Sequence, residues 1–385
     1  MRPQFDVIIV GGGLAGLTTA IVLAKANKKV LLLEKKIYPY HKVCGEYISN
    51  EVLDYLQFLG FDPFHFGASN ITNLRISTPR GKNIHVPLDL GGFGISRYTM
   101  DEALCELAIN SGARVETATR VTDIQFEGEQ FSVTTSHGDI FTSRLAIGSY
   151  GKREMLDKKL GRHFMKAHTG YMAVKYHILT DYPRQEIGLD NFKGGYCGIS
   201  KIEGDRYNLC YLYKRPVLKA QRSIKELESE VLFQNPMLKQ IFTGSEFLFK
   251  TPEVINEIYF EPKSQVENHI LMCGDTAGLI TPLCGNGMSM AISGAQLLTK
   301  LILETNILSR QNDTADIREQ LENTYKVAWN QRFSKRLFCG RALQHFFGNP
   351  LFTKMSLGLL HAFPPFERKI ISLTHGNPLL PDAST

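Results

Sequence analysis

The sequence predicts an α/β protein in which a parallel-sheet domain carries an inserted antiparallel-sheet domain and is followed by a helical C-terminus. Three observations predict this fold. First, the apolar run Phe5–Val10 leads through the glycine-rich turn 11–16 into a segment with helical apolar spacing. Second, apolar and polar residues alternate repeatedly within the range 165–262, as in strands that bury one face. Third, the apolar residues recur at helical spacing from Ala315 onward.

The turn after the first strand has the spacing of a dinucleotide-binding site. Gly11 permits the tight turn, Gly13 lets the backbone approach a pyrophosphate, and Gly16 lets the helix lie close to the strand. The first amides of the helix, at Leu14 and Ala15, then face the phosphates at its positive end. The strand, turn and helix together predict a Rossmann-like unit.

The next strand, Lys29–Leu33, ends at Glu34. A carboxylate at this place accepts hydrogen bonds from a ribose and repels a 2′-phosphate, so the predicted adenosine is not phosphorylated there. We assign Lys35, the next residue, and Val121, at the start of a later strand, to the same nucleotide site.

A second segment, about 260 residues later, decides which dinucleotide is expected. The short apolar strand Asn268–Cys273 is closed by Gly274 and Asp275, and residues 281–288 lead into the helix Ser289–Ile302. A simple NAD dehydrogenase does not need this second strand, turn and helix to bind its cofactor. The two segments together predict a non-covalent FAD site.

These segments resemble the two-dinucleotide-binding-domain flavoproteins, a family that includes aromatic hydroxylases, flavin halogenases and geranylgeranyl reductases. The resemblance implies that Asp275 binds the ribityl and pyrophosphate region of FAD. It implies that Arg97, at a helix start, contacts the ribityl and phosphate portion, although a solvated arginine at a helix end is the alternative. It also places one loop against the isoalloxazine ring, through Pro282, Gly285, Asn286, Gly287 and Met288.

The element order predicts three regions. A discontinuous FAD-binding domain is formed by residues 1–66, 97–164 and 263–305. A substrate-binding domain is formed by residues 67–96 and 165–262, and the helical C-terminal region by residues 306–385. The predicted helices of the last region are Ile317–Arg336, Phe338–Phe347 and Leu351–Leu360. Other expected elements are a hairpin over Ile71–Pro87, a helix over Met100–Asn110, and strands at Arg114–Thr119, Val121–Phe126, Phe131–Thr135, Ile140–Ile147, Tyr171–Ile178, Tyr196–Ile202 and Tyr207–Tyr213.

Composition excludes several classes of protein. The 385 residues are 43% hydrophobic and 21% charged, a normal globular mixture, and the net charge of +6 is spread along the chain without a basic block, so nucleic acid is not an expected partner. Seven cysteines without CxxC spacing predict a reducing compartment and neither a disulfide framework nor a metal site. No apolar run reaches membrane-spanning length, so we expect a cytoplasmic protein without stable membrane insertion. Phenylalanines beside Lys354, Arg368 and Lys369 leave peripheral contact with a membrane open.

The loop Lys42–Glu46 resembles the Lys-x-Cys-Gly-Glu segment of geranylgeranyl reductase-like proteins. The resemblance implies that the loop runs near the flavin and that Cys44 approaches the substrate cavity. Cys44 is therefore a candidate catalytic residue, with simple packing as the alternative. We expect Glu46 to support the loop by accepting hydrogen bonds from backbone amides.

The expected substrate site departs from the reductase pattern. Tyr196 matches the tyrosine of a Tyr-x-Trp-x-Phe-Pro motif in those reductases, but Gly198 stands in place of its tryptophan and leaves room for a bulkier ligand or marks a bulge. Ser149 stands where the aromatic hydroxylases carry an aspartate, which disfavours hydroxylation. The halogenase motif Trp-x-Trp-x-Ile-Pro is absent, since Trp329 is the only tryptophan.

The sequence is compatible with three functions. The favoured one is an FAD-dependent reductase that acts on an apolar or polyketide-like small molecule by hydride transfer at flavin N5. The alternatives are an aromatic monooxygenase and a non-catalytic flavin-binding protein. No second GxGxxG builds a separate NAD(P)H domain, so transiently docked NAD(P)H or another donor has to supply electrons. His41, His168 and His177 are candidate acid–base residues, although a structural role is the expectation for each.

Overall fold

The computed structural model describes residues 4–166, 170–215, 223–258, 260–281, 285–308, 315–346 and 376–381. Two sheets organise these residues. The strands are β1 Phe5–Val10, β2 Val30–Leu33, β3 Tyr47–Ser49, β4 Ser69–Ser77, β5 Asn83–Gly94, β6 Arg114–Glu116, β7 Val121–Glu127, β8 Gln130–Thr135, β9 Ile140–Gly148, β10 Tyr171–Leu179, β11 Glu186–Phe192, β12 Gly195–Lys201, β13 Arg206–Lys214, β14 Glu246–Phe247, β15 Glu253–Asn256, β16 Val266–Glu267 and β17 Ile270–Met272. The α-helices are α1 Leu14–Lys25, α2 Leu53–Leu59, α3 Arg97–Asn110, α4 Met155–Lys159, α5 Ile224–Glu230, α6 Pro236–Gly244, α7 Gly287–Thr305 and α8 Ala315–Phe346.

The first sheet has the strand order β16-β17-β9-β1-β2-β6, and the hairpin β7–β8 attaches to β9. β1 pairs in parallel with both β2 and β9, and β17 pairs in parallel with β9. The central strand β1 is buried on both faces, which agrees with its apolar sequence. The carboxyl ends of β1, β2 and β17 therefore lie along one edge of the sheet, where ligands of such folds bind.

The second sheet has the order β14-β10-β13-β12-β11-β4-β5-β3, with β15 also pairing β10. Its neighbouring strands are antiparallel except for β11 and β4, which are parallel. The sheet is assembled from two separate parts of the chain, because β3, β4 and β5 precede α3 and the other strands follow β9. β3 lies inside the range 1–66 predicted for the first domain, yet it pairs with β5.

Each sheet has its own core and its own helices. α1 lies between α3 and α7 against the first sheet, and α8 packs on α7. The second core is formed by one face of the second sheet with α5 and α6, and its largest buried side chains include Tyr211, Tyr213 and Phe192. The opposite face of this sheet looks toward the first domain.

The structure confirms the predicted fold class and corrects one detail of the C-terminal region. The separate helices predicted at Ile317–Arg336 and Phe338–Phe347 are one continuous helix, α8, as far as Phe346, the last residue described in this region. No proline or other helix breaker stands between them, and Leu337 is buried at 7% exposure. The backbone hydrogen bonding of the helix therefore continues through this position. The predicted helix Leu351–Leu360 and the basic residues Lys354, Arg368 and Lys369 lie outside the described residues. No helix in the described ranges is both long and apolar enough to cross a bilayer.

Candidate active site

The glycine turn presents an open helix end. Gly11 has φ +105°, and a Cβ there would lie 2.6 Å from the carbonyl oxygen of Ser149. A Cβ at Gly16 would collide with the carbonyl oxygen of Gly11. Gly13 differs, because a Cβ there would meet only Arg97 Nη2 at 3.7 Å and Lys42 Nζ at 4.0 Å. Gly11 and Gly16 thus serve packing, whereas Gly13 leaves space in front of the first amides of α1, at Leu14 and Ala15.

A recess adjoins this turn at the ends of β1 and β2. It is lined by Gly11, Glu34, Lys35, Thr119, Arg120, Val121, Tyr150 and Glu154, among others. Glu34 is buried, and its carboxylate accepts hydrogen bonds from the amides of Gly12 (2.7 Å) and Lys36 (2.9 Å). Glu154 pairs with Lys35 and, at 2.6 Å, with Arg120. The predicted residues Glu34, Lys35 and Val121 therefore share one recess.

Two cations lie beside Gly13. Arg97 begins α3 and forms a bidentate ion pair with Asp101 at 2.7 and 2.8 Å. Lys42 Nζ lies 2.8 Å from the same carboxylate. Burial alone would raise the pKa of Asp101, but Arg97 and Lys42 lower it, so the carboxylate is ionised. The cluster keeps a net positive charge next to the helix end, which suits a pyrophosphate.

Two buried cations, Lys263 and Arg162, hold the backbone of the turn that carries Asp275. Lys263 Nζ donates to the carbonyls of Lys152 and Asp275, both at 2.8 Å, and Arg162 Nη2 donates to the carbonyl of Thr276 at 3.0 Å. Burial lowers the pKa of Lys263 to about 8. The Asp275 carboxylate accepts no hydrogen bond from the described residues, so its oxygens are available to hydroxyl groups of a ligand.

The N-terminus of α7 faces a narrow cleft that is also lined by Asp275. Gly287 is its first residue, followed by Met288, and Asn286 precedes it. Gly274, Asp275 and Gly287 line one narrow cleft. Gly285 has φ +65°, in the left-handed region. Pro282 lies outside the described residues.

The Lys42–Glu46 loop crosses between the two sheets. Cys44 is half-buried, and its carbonyl accepts a hydrogen bond from Asn208 Nδ2 at 3.1 Å. Glu46 is fully buried and accepts hydrogen bonds from the amide of Arg97 (2.8 Å) and from Lys175 Nζ (2.5 Å). Glu46 thus accepts a backbone amide from outside the loop, and its predicted supporting role and the catalytic role of Cys44 both stay predictions.

The second sheet turns an apolar patch toward this loop. Ala173, Leu212 and Tyr196 are cross-strand neighbours, and they pack with Val43 of the loop and Leu279. Further members of the same cluster are Ile258, Phe260, Tyr171, Leu189 and Ile255. The patch is thus bounded by the loop on one side and by the segment between Asp275 and α7 on the other.

Gly198 lies two residue pairs along the sheet from the Tyr196 and Leu212 pair, opposite Cys210. A Cβ at Gly198 would meet only two carbonyl oxygens, those of Cys210 and Gly188, at 3.7 and 3.9 Å. The space above it is open, so the glycine is not explained by close packing.

Ser149 and the candidate histidines have structural partners. Ser149 Oγ donates to the carbonyl of Gly11 at 2.7 Å and fills the space beneath the glycine turn. His177 Nε2 lies 2.7 Å from Glu46, in a buried position. His41 stacks on Tyr98 with a centroid distance of 4.7 Å, and burial lowers its pKa to about 4. His168 lies outside the described residues.

Several residues at the site were not predicted from the sequence. Tyr38 donates from its hydroxyl to the carbonyl of Gly12 at 2.5 Å, and burial beside Glu34 raises its pKa. Asp101 and Lys175 are the others. The spacing of Arg97 and Asp101, four residues apart on one helix, is the only local signal that indicated such a pair. Lys175 gives no local signal, because its partner is 129 residues away.

An open glycine turn, a buried glutamate at the end of the second strand and a further carboxylate, that of Asp275, are the features expected of a dinucleotide-binding flavoprotein. The FAD binding domain model matches residues 4–201, just over half of the chain, and the protein belongs to this family of FAD-dependent oxidoreductases.

Known proteins similar to the chain carry more specific names. The digeranylgeranylglycerophospholipid reductase of Methanocella arvoryzae is 31% identical over 354 residues, which is 85% of this chain and 87% of that protein. Conditioned medium factor receptor 1 of Dictyostelium discoideum is 22% identical over 369 residues, which is 86% of this chain and 68% of that protein. Among solved structures, the flavin-dependent brominase Bmp2 matches with a TM-score of 0.77 and 18% identity, covering 96% of this chain and 93% of that one. That structural likeness shows the fold.

Proposed function

We propose that this FAD-dependent oxidoreductase is a reductase of the geranylgeranyl reductase-like kind, acting on an apolar small molecule. The observation that carries the proposal is the apolar patch of Ala173, Tyr196 and Leu212. It lies next to Val43 and Leu279, from the two segments expected to flank the isoalloxazine ring. A ligand bound between this patch and the flavin would contact apolar side chains on the side that faces away from the flavin.

The residues present fit FAD. Gly13 has room for a pyrophosphate, the Arg97 and Lys42 pair supplies positive charge beside it, and the recess at Glu34 accepts an adenosine. Asp275 has carboxylate oxygens available for ribityl hydroxyls. Once bound and reduced by NAD(P)H or another external donor, FAD would supply a hydride from its N5 position.

The chain's own residues would bind and orient the substrate. Tyr196 and Leu212 exclude water from the sheet side, and the open space over Gly198 admits a branch or ring. The thiol of Cys44, whose neighbour Val43 packs on the patch, would hold the proton that a reduced carbon requires. The patch itself is formed by hydrophobic and aromatic side chains, which agrees with an apolar substrate.

The similarity to a digeranylgeranylglycerophospholipid reductase supports reduction over oxygenation. Ser149 points the same way, because its hydroxyl is occupied by the Gly11 carbonyl and it carries no carboxylate. We propose no more specific substrate than an apolar molecule, because Gly198 replaces the tryptophan of the reductase motif.

The decisive experiment separates reduction from oxygenation. The FAD-loaded protein is reduced with dithionite under anaerobic conditions and mixed with digeranylgeranylglycerophospholipid or smaller unsaturated lipids. We expect the yellow absorbance of oxidised flavin to return together with a product that has gained two hydrogens. Incorporation of labelled oxygen into a product, or turnover that requires oxygen, would contradict the proposal and favour a monooxygenase.

A further inference from the structure

Glu46 is a buried acidic residue between the two sheets that contacts three hydrogen-bonding partners. Its side chain has no exposed surface, and its backbone has φ +53°, a left-handed conformation that non-glycine residues adopt at a cost. One carboxylate oxygen accepts hydrogen bonds from Lys175 Nζ at 2.5 Å and from the Arg97 amide at 2.8 Å. The other lies 2.7 Å from His177 Nε2. Such a conformation persists only where several contacts fix it.

The electrostatic balance of this site depends on Lys175. Lys175 is also fully buried, so each charge needs the other. Burial by itself would raise the pKa of Glu46, but Lys175 and the hydrogen bond with His177 outweigh burial and lower it. The Glu46 carboxylate is therefore ionised at neutral pH.

The second sheet holds the loop through its backbone as well. Lys175 Nζ also donates to the carbonyl of Lys42 at 3.1 Å, and Asn208 Nδ2 donates to the carbonyls of Cys44 (3.1 Å) and Gly45 (2.9 Å). Three of the five loop carbonyls are thus held by two side chains of β10 and β13. The loop cannot move relative to the second sheet without breaking these bonds.

The same contacts reach the glycine turn. Glu46 binds the amide of Arg97, the first residue of α3, and the Arg97 side chain lies beside Gly13. Lys42, whose carbonyl is held by Lys175, supplies the second cation there. A short chain of contacts therefore joins β10 of the second sheet to the place of the pyrophosphate.

We propose that Lys175 and Asn208 are positioning residues by which the second sheet sets the Lys42–Glu46 loop and the start of α3, and so governs FAD binding and the surroundings of the flavin. Neither side chain needs to touch the substrate. The inference depends on the FAD site alone, so it holds whether the enzyme proves to be a reductase or an oxygenase.

The test is a double-mutant cycle on the full-length protein with FAD as the probe. Glu46→Gln and Lys175→Met are made singly and together, and Lys201→Met is the matched control. Lys201 is another buried lysine of the same sheet, but its Nζ donates to the carbonyl of Gly204 at 2.7 Å and does not contact the loop. The unfolding midpoint, the FAD dissociation constant and the visible spectrum of the bound flavin are measured for each protein.

We expect each single variant to lose stability, because it leaves one charge buried without its partner. The double variant removes both charges and should recover most of the unfolding midpoint. Positioning predicts that its FAD dissociation constant nevertheless stays about tenfold or more above that of the wild type, since hydrogen bonds to charged groups are lost. Its flavin spectrum should also be shifted, whereas Lys201→Met should keep the wild-type dissociation constant and spectrum.

A merely structural ion pair gives a different result. A double variant with wild-type FAD affinity and spectrum would overturn the proposal, as would an equal loss of FAD affinity in Lys201→Met. If the double variant does not fold, Asn208→Ala supplies the test, because it releases two loop carbonyls without leaving a charge buried. Wild-type FAD affinity and spectrum in Asn208→Ala would likewise overturn the proposal.

Discussion

Replacing Gly13 by valine tests the cofactor site most directly. Gly13 has extended backbone angles, φ −87° and ψ −175°, which every residue type adopts. A Cβ there contacts only the ends of the Arg97 and Lys42 side chains, at 3.7 and 4.0 Å. Valine therefore fits the protein, and its methyl groups fill the space in front of the first amides of α1.

The expected effect is large for FAD and small for the fold. A hydrogen bond to a charged group contributes about 1.5–3 kcal/mol, so losing as few as two pyrophosphate bonds raises the FAD dissociation constant at least about a hundredfold. The unfolding midpoint of the FAD-free protein should change little. Titration of FAD fluorescence gives the first quantity, and circular dichroism on heating gives the second.

Two other glycines provide the controls. Gly244→Val changes the last residue of α6, where a Cβ meets nothing within 4 Å, and FAD affinity should be unchanged. Gly16→Ala places a Cβ against the carbonyl oxygen of Gly11, so it should lower the stability as well as the FAD affinity. A Gly13→Val protein that binds FAD like the wild type would refute the assignment of this turn to the pyrophosphate.

The remaining predictions concern turnover and pH. Cys44→Ala should keep full FAD content but lose about a hundredfold or more in turnover if the thiol donates a proton, while Cys44→Ser retains a hydroxyl and loses less; near-wild-type turnover in both variants would make Cys44 a packing residue. Lys263→Met should change how stability depends on pH. The pKa of folded Lys263 is about 8, below its usual value, so the unfolded chain holds this proton to higher pH than the folded one. The wild type should therefore gain stability relative to the variant as pH rises from about 8 toward 10.5, by at most about 3 kcal/mol. Urea unfolding at both ends of that range measures the gain, and a pH-independent difference would contradict it.

The parts of the site that sequence could predict are those built from neighbouring residues. The glycine turn, Glu34 and Asp275 each follow a buried strand directly, so the spacing along the chain fixes their place at one sheet edge. Tyr38 and Lys175 could not be predicted in the same way. Their roles depend on contacts across 26 and 129 residues, respectively, and no periodicity carries that information.

The C-terminal helices illustrate a different limit. The sequence pattern suggested a break near Leu337, but Arg336 pairs with Glu51 and Leu337 is buried in the first core, so the helix continues through both. Tertiary contacts decided the length of α8, and apolar spacing alone did not contain them. The parallel pairing of β11 with β4 is a similar case, since it joins strands more than a hundred residues apart.

That parallel pairing has a consequence for how the chain folds. Each sheet is completed by strands from distant parts of the sequence: β9 reaches β1 across the whole second-sheet segment 47–94, and β11 closes on β4 only after β9 has been made. Neither sheet can be finished from a continuous stretch, and closure of such long loops slows folding. A fragment limited to residues 171–258 would leave the edge of β11 without β4, and an uncovered strand edge favours aggregation. Both sheets therefore need strands from distant parts of the chain, and the expected FAD site also includes residues at the start of α7, which follow all of these strands in the sequence.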